Sequence, residues 1–570
     1  MNERLVPVLV VGAGPTGLTV ANELARHGVA VRIIDRAPVP ATTSRALVVW
    51  PRTMEVFDDM GVIDEALAVG VGASGFSVTF KNKSVRIEFT DLLTGPMNHT
   101  AYPNARIISQ HDTERVLAEA LIARGVEIER GLALADLTRD GDTVTVSLHG
   151  GDGSTETLRC RWVIGCDGAH SAVRKAIGIP FEGATYPDEF IMADAKLDWE
   201  LPDGDLYVFP SPAGIFAAFS MPGEHRFRIF GNVEPGPAGP SVEYSEPTHE
   251  EFQAMIDERV PFPTTVIEEY WVTRYRLHRR VVPRYRDGRV FLAGDAAHIH
   301  SPAGAQGMNI GIQDAYNLAW KLALVLRGIA GESLLESYNV ERHPIGVRLL
   351  KTTDRMFSVL SGHSPLARTA RGRLAPHLAT RVLTHHSFRR WLLGTLAQLR
   401  LHYPDSPLNA EDGSGWQDAP APGDRAREVG VLIDGKPGRI YDVFQGTHHT
   451  VLLFAGLDDH ARPAVELRRI AERIERAYPG LVIARVISTE HCADHPSMLG
   501  DPDRSAHRQY GIKPASAYVI RPDGHVGYRG RPVDADALMT DLAARLPGAS
   551  PTTNATPGIA GTAAHHPRNP

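Results

Sequence analysis

The sequence predicts an α/β fold in which a βαβ-type domain is interleaved with a second, mostly β domain and followed by a third unit. Three observations predict it. The chain opens on a short β-branched run, Val6 to Val11, that ends in glycines and leads into a helical pattern and a second strand pattern. Strand-like alternation rich in Pro and Gly dominates residues 180 to 285, as in "DLYVFPSPAGIFAAFSMPGEHRFRIFG". Beyond a stretch at 404–428 rich in Pro, Gly, Asp and Ala, strand and helix patterns alternate again.

In chain order, Pro15 to His27 places Leu18, Ala21, Leu24 and Ala25 on one helical face, and Ala30 to Asp35 reads as the next strand. Asp112 to Arg124 reads as a helix, and Thr143 to Leu148 with Glu156 to Ile164 as a hairpin. The 180–285 region shows no helix-rich core of its own, and a long apolar-periodic helix returns at Met308 to Arg327. After 428, His449 to Ala455 is a strand, Ala464 to Tyr478 a helix and Leu481 to Ser488 a strand. Ala517 to Arg521 and His525 to Arg529 form a hairpin around Pro522-Asp523-Gly524, and Asp534 to Leu546 is a final helix. The tail is rich in Ala, Gly, Pro and Thr and predicts disorder.

Composition narrows the class. A chain of 570 residues exceeds one ordinary core. A net charge of -7 leaves no basic footprint for nucleic acid. Cys160, Cys166 and Cys492 have no metal-ligand or redox spacing, so neither a disulfide framework nor a metal site is expected, which fits a reducing cytoplasm. The apolar run Leu5 to Val11 stops at Gly12-Ala13-Gly14-Pro15 with no Ala-x-Ala site, so it reads as a strand rather than a signal peptide. No run of roughly 18 apolar residues predicts a membrane span.

Three separated segments carry the chemistry. The first is Gly12-x-Gly14-x-x-Gly17, placed after a strand and opening a helix at Pro15 and Thr16. Gly12 permits the tight turn, Gly14 lets a pyrophosphate approach the backbone, and Gly17 lets helix and strand pack closely. The helix N-terminus then offers free N–H groups to the phosphates. Asp35, followed by Arg36, ends the second strand where a carboxylate can accept hydrogen bonds from an adenosine ribose. This segment alone does not separate FAD from NAD. The second is Trp162 to Arg174, in which a strand ends in the Asp167-Gly168 turn and Ser171 and Arg174 follow at a helix start; an ordinary strand–turn–helix with a capping Ser reads the same way. The third runs from Arg289 to Asn309: a strand delivers Asp295, and a small-residue loop with Gly304 and Gly307 leads into the helix at Met308. Asp295 is placed to bond a ribityl hydroxyl. The glycines let the backbone pass close to a flat ring, and a helix N-terminus suits the negative charge of a reduced flavin.

Together these segments resemble the FAD-dependent monooxygenases of the para-hydroxybenzoate and phenol hydroxylase superfamily, in which they are the glycine fingerprint, the Asp-Gly motif and the Gly-Asp motif. Ser44-Arg45-Ala46 resembles the segment whose Arg lies over the flavin, and Gln110 matches a Gln that contacts the ribityl or phosphate part. The resemblance assigns Arg45 and Pro302 to catalysis. It assigns Gly12, Gly14, Pro15, Thr16, Gly17, Asp35, Arg36, Arg45, Gln110, Asp167, Asp295, Gly304, Gly307, Met308 and Asn309 to FAD. Residues beyond 425 look like the thioredoxin-like domain of phenol and polyketide aromatic hydroxylases, but "FAGLDDHARP" lacks the Cys-x-x-Cys, so packing or dimer contact is expected rather than thiol chemistry.

The resemblance implies a Rossmann-like FAD-binding domain (1–72, 109–180 and, with a helical region, 286–403) interleaved with a β-sheet substrate domain (73–108 and 181–285). A linker (404–428), a C-terminal thioredoxin-like α/β domain (429–547) and a disordered tail (548–570) complete the chain. It implies that transiently bound NAD(P)H reduces FAD, that O2 then gives a flavin C4a-hydroperoxide, and that an electron-rich aromatic ring takes the distal oxygen in a dry pocket. A cytoplasmic homodimer is implied. Candidate pocket walls are Trp50, the 72–108 segment, Phe209, Phe216 and Phe219, each also readable as core. Phenol hydroxylases carry an acid soon after the Ser-Arg-Ala segment; here Leu47-Val48-Val49 follows, which favours a larger, already acidic polyphenol. His298 and His300 are candidate bases, against a structural role. Baeyer–Villiger insertion, epoxidation, a flavin reductase or dehydrogenase without oxygen insertion, and a ligand-sequestering protein stay open at this point.

Overall fold

A computed structural model describes residues 5–41, 46–80, 83–90, 99–233, 246–301, 304–361, 381–458, 462–489 and 495–549, with backbone alone at 187 and 354–361. The first sheet runs in the order Arg286–Asp287, Val290–Leu292, Thr155–Gly165, Val6–Val11, Val31–Asp35, Ile128–Arg130. Its middle is parallel: Val10 pairs with Ile164 and Ile33, and Ile164 in turn with Phe291. A strand flanked by parallel neighbours is buried on both faces, which is why Val8, Leu9 and Val10 are all apolar and fully buried. Thr143–Gly150 joins the same sheet as the expected hairpin partner of Thr155–Gly165. The helices Pro15–Arg26 and Gly307–Leu326 pack against one another beside it.

The second sheet has eight strands and is antiparallel except where Asp205–Ser211 meets Gly75–Phe80. One face is covered by the helix His249–Arg259, which the sequence reading missed. Its signal was present: the hydroxyl of Thr248 takes the Glu251 N–H and the Glu251 carboxylate takes the Thr248 N–H, a capping box readable as Thr-x-x-Glu. The opposite face, which carries Phe190, Met192, Phe230 and Tyr275, forms a separate cluster.

The third sheet centres on the parallel pair His449–Phe454 and Val482–Ser488, flanked by the hairpin Ser516–Ile520 and Val526–Gly530. Helices Ala464–Ala477 and Ala535–Arg545 cover one face, and Trp320 and Leu324 of the first domain join the same core. The stretch at 404–428 is therefore not a free linker. Ala410–Asp412 pairs in parallel with Val526–Gly530, and Ser406, Arg425 and Ala426 are buried. Its Pro- and Gly-rich composition reflects irregular backbone and carries no information about tertiary contact.

The hairpin tip Pro522-Asp523-Gly524 seats in the seam between the third unit and the first. Fully buried Glu341 accepts from Arg521 at 2.6 and 3.0 Å, from Lys321 at 2.6 Å, from Asn317 at 2.7 Å and from Ser406 at 2.5 Å. Burial alone would raise its carboxyl, but Arg521 and Lys321 pull it well below the usual carboxylate range. Arg521 also pairs with Asp523, so one guanidinium holds acids from both units. The packing role expected of the third unit is met here. Cys160 and Cys166 are buried, and burial pushes the Cys160 thiol up to about 12 and the Cys166 thiol well above its ordinary value, which leaves both as unreactive thiols. Cys492, Arg45, Pro302 and residues 550–570 lie outside the described residues. Among the described residues no helix is long and apolar enough to cross a membrane.

Candidate active site and cofactor cleft

The first and third segments named from the sequence converge on Thr16. A Cβ on Gly294 would lie 2.5 Å from the Thr16 hydroxyl, and one on Gly311 would lie 2.4 Å from the same oxygen. The start of the fingerprint helix, the Gly294–Asp295 turn and the first turns of the long helix thus meet at contact distance. Only glycine allows this approach, and Gly294 also has φ +60°. Each fingerprint glycine shows its reason. Gly12 has φ +105°, and a Cβ there would strike the Cys166 carbonyl. A Cβ on Gly17 would lie 1.9 Å from the Gly12 carbonyl. A Cβ on Gly14 would meet nothing nearer than Glu114 Oε1 at 3.9 Å, so its space is left open.

Gly14, Pro15 and Thr16, then Asp295, then Gly304, Gly307 and Met308 are partly or fully exposed, whereas Gly12, Ala13, Gly17, Gly294, Ala296 and Asn309 are buried. Neither Gly14 nor Gln306, the residues preceding the two helices, caps its helix with a side chain, so the N-terminal N–H groups of both find no side-chain acceptor on those residues. A diphosphate fits the first helix, and the electron-rich edge of a flat ring fits the second. Asp35 stands at the mouth, fixed by Ala13 N–H at 2.6 Å and Ala37 N–H at 2.8 Å, with Arg36 exposed beside it. Gln110 donates to Glu114 at 2.8 Å, and burial raises the Glu114 carboxyl. Glu114 escaped the sequence reading, although it sits one helical turn after Gln110 and on the same face.

The Asp-Gly motif works one layer back. Asp167 accepts from the Ser171 hydroxyl at 2.5 Å and from Ala172 N–H at 2.6 Å, and so caps the short helix Ala172–Ala176. Arg174 of that helix donates to the Ala296 carbonyl at 2.9 Å, which holds the Gly294–Ala296 turn from behind. Ser171 takes the Arg174 N–H at 2.9 Å as the helix cap, so Asp167 and Ser171 together fix the short helix whose Arg174 braces the Asp295 turn. His298 is likewise structural. Fully buried, its Nε2 meets Asp314 at 2.7 Å, and Arg342 donates to the other Asp314 oxygen at 2.7 Å. Burial would raise Asp314, but Arg342 and His298 hold it low. His300 bonds the Ser301 carbonyl at 2.7 Å, and burial with the neighbouring His298 lowers its pKa to about 4, so it is neutral near pH 7. Asp314 and Arg342 were missed because a charged pair buried between two helices far apart in sequence gives no periodic signal.

The substrate-side aromatics divide by strand pleat. Phe209 and Phe216 pack 5.7 Å apart beneath the helix His249–Arg259, in the core facing away from the cofactor cleft. As pocket walls they are a correction: alternation sends Phe216 one way and Phe219 the other, and only Phe219 reaches the cluster of Leu47, Val48 and Trp50. Trp50 is buried, donates through Nε1 to the Gly304 carbonyl at 2.9 Å, and stacks edge-on with Phe89 at 6.0 Å. On the Phe219 face of the sheet the structure adds Phe230, stacked 5.1 Å from Phe190, and the buried pair Arg228–Asp194. Arg228 donates to the Ala46 carbonyl at 3.3 Å, and Trp271 Nε1 donates to Asp194 at 2.9 Å.

Comparison with known proteins identifies the family. Residues 5–353 match the FAD binding domain family. Over 95% of this chain and 92% of the other, the sequence is 36% identical to a 6-methylpretetramide 4-monooxygenase of Streptomyces rimosus. It is 32% identical, over 95% of this chain and 96% of the other, to a pentachlorophenol 4-monooxygenase of Sphingobium chlorophenolicum. Among solved structures, an anhydrotetracycline hydroxylase from Streptomyces rimosus superposes with a TM-score of 0.72 at 28% identity, covering 95% of this chain and 99% of that one. An aklavinone-11 hydroxylase solved with FAD and aklavinone superposes with a TM-score of 0.75 at 25% identity, covering 96% and 100%. The chain belongs to the FAD binding domain family, and within it to the FAD-dependent aromatic monooxygenases.

Proposed function

We propose that this monooxygenase hydroxylates a multi-ring phenol of the aromatic polyketide type, with NAD(P)H as transient reductant. The observation that carries the substrate class is the acid-free pocket side. Leu47, Val48 and Val49 are apolar and buried where a simple-phenol enzyme carries an acid, and Asp194 is already locked between Arg228 and Trp271. A substrate that brings its own acidic hydroxyl needs no base from this wall. The relatives acting on 6-methylpretetramide, anhydrotetracycline and aklavinone support the same class.

When bound, FAD supplies a two-electron centre that accepts hydride and transfers one oxygen atom from O2. The chain's own residues then divide the work. Gly12, Gly14, Pro15, Thr16, Gly17, Asp35 and Arg36 hold the adenosine diphosphate end. Gln110 and Asp295 hold the middle, with Asp167 setting the Asp295 turn. Arg45, Pro302 and the run Gly304, Gly307, Met308, Asn309 serve the reactive ring. Trp50, Phe219 and Phe230 orient an aromatic substrate and exclude water. A cytoplasmic homodimer completes the reading. The test is mass spectrometry and NMR of products from a phenol and polyketide panel with NADPH and labelled oxygen gas. One labelled oxygen on an aromatic carbon is expected. Hydrogen peroxide as the sole product across the panel would overturn the proposal, and a ring-expanded ester would redirect it to Baeyer–Villiger chemistry.

A further inference from the structure

A polar cavity lies in the seam between the third unit and the rest of the chain. It measures about 170 Å³ and is lined by His99, by Arg400 and His402, and by Asp424, Arg425 and Arg427. Its sign opposes that of the molecule: the chain carries a net charge of -7, yet three arginines and two histidines face one carboxylate here. That carboxylate is engaged, since Asp424 accepts the Ala421 N–H at 2.8 Å. Arg425 is only 7% exposed. Its terminal nitrogens donate to the carbonyls of Ala426 and His99 and to the Tyr441 hydroxyl, and one lies 3.5 Å from the buried Glu55 carboxylate, but its Nε meets no acceptor. A buried guanidinium N–H without an acceptor is costly, and a bound anion would satisfy it. The space is large enough for a phosphoryl group, whose oxygens match the guanidinium fork.

The cavity also lies close to the chemistry. Leu399 on its wall belongs to the buried cluster of Leu47 and Trp50, and Leu396, one turn earlier, packs against Gly304. One layer of side chains separates the cavity from the loop assigned to the reactive ring.

We propose that this cavity is a phosphoryl-binding site and that its physiological occupant is a phosphate of the nicotinamide reductant. The source rests on the reading that NAD(P)H reduces this enzyme; the chain carries no second glycine fingerprint to hold that dinucleotide. Arg400 is exposed at the rim, so Arg400→Gln keeps the fold and removes one cation. Arg473→Gln, an exposed arginine paired with Asp536 on the third unit, is the charge control. The first arm is thermal melting of the holoenzyme in inorganic phosphate against chloride at equal ionic strength. Wild type and Arg473→Gln gain stability specifically from phosphate, and Arg400→Gln loses most of that gain. The second arm is anaerobic flavin reduction at varied NADPH, where Arg400→Gln raises the apparent Kd about tenfold, the worth of one charge-assisted hydrogen bond, and Arg473→Gln does not. No phosphate-specific stabilisation of wild type overturns the site. Stabilisation with an unmoved NADPH Kd overturns the reductant as its occupant and leaves free phosphate. Wild type that NADPH fails to reduce sinks the functional reading instead, while the melting arm still decides the site.

Discussion

Trp50 is held at both ends by the loop that opens the long helix: its indole Nε1 donates to the Gly304 carbonyl at 2.9 Å, and its backbone N–H donates to Asn309 Oδ1 at 2.9 Å. Asn309 returns a bond to the Val48 carbonyl at 2.8 Å. The Trp50 segment and the loop that opens the long helix are thereby tied together, and a shift of Trp50 is transmitted to Gly304 and Asn309.

Asn309→Ala should expose that coupling. It strands the Trp50 N–H and the Val48 carbonyl in a buried place, at a cost of about 1–3 kcal/mol each. Thermal melting should fall by several degrees, and FAD titration should show weaker binding. Unchanged melting would mean the contact carries no energy.

Two glycine variants should separate folding from cofactor binding. Gly17→Ala puts a Cβ 1.9 Å from the Gly12 carbonyl and should give little folded protein, whereas Gly14→Ala meets nothing nearer than 3.9 Å. Gly14→Ala should fold with a native far-UV spectrum yet purify with less FAD, read from the ratio of flavin to protein absorbance.

The two phenylalanines on one strand should behave differently. Phe216 is fully buried, so Phe216→Ala should destabilise by about 3–5 kcal/mol in urea melts. Phe219→Ala, on the partly exposed pleat, should leave stability nearly intact and weaken substrate binding, measured by perturbation of the flavin spectrum. Equal effects on stability would refute the assignment of faces.

Acid sensitivity should begin at the imidazole range. Burial lowers His300 to about 4 and His27 and His449 to about 3, from an ordinary 6.5. Between those values the unfolded chain binds more protons than the folded one. Stability is therefore full above about pH 6.5 and falls as pH drops toward 4, by up to about 1.4 kcal/mol per unit for each group. Glu341, held low by Arg521 and Lys321, adds a further loss below the ordinary carboxylate value. Urea midpoints from pH 8 to 4 check the slope. Glu341→Gln, which leaves Arg521 and Lys321 short of a partner charge, should cost about 3–5 kcal/mol at pH 7.

The sequence by itself determined the elements whose signals are local. The fingerprint glycines, the βαβ strands, the long helix from Gly307 and the hairpin around Asp523 follow from runs, periods and turn residues, and they lie where the patterns put them. The joint presence of three motifs fixed the cofactor class for the same reason, because each glycine answers a backbone approach that leaves a mark in sequence. Tertiary structure alone decided what depends on distant partners. It showed that Asp167 braces the helix from Ala172, that Phe209 and Phe216 serve a core while Phe219 lies on the opposite face of the sheet, and that the 404–428 stretch is a seam. It also set Glu341, Arg521 and Asp314 against their countercharges. Burial of charge and the facing of a pleat are properties of what lies opposite, and a single chain read residue by residue does not state what lies opposite.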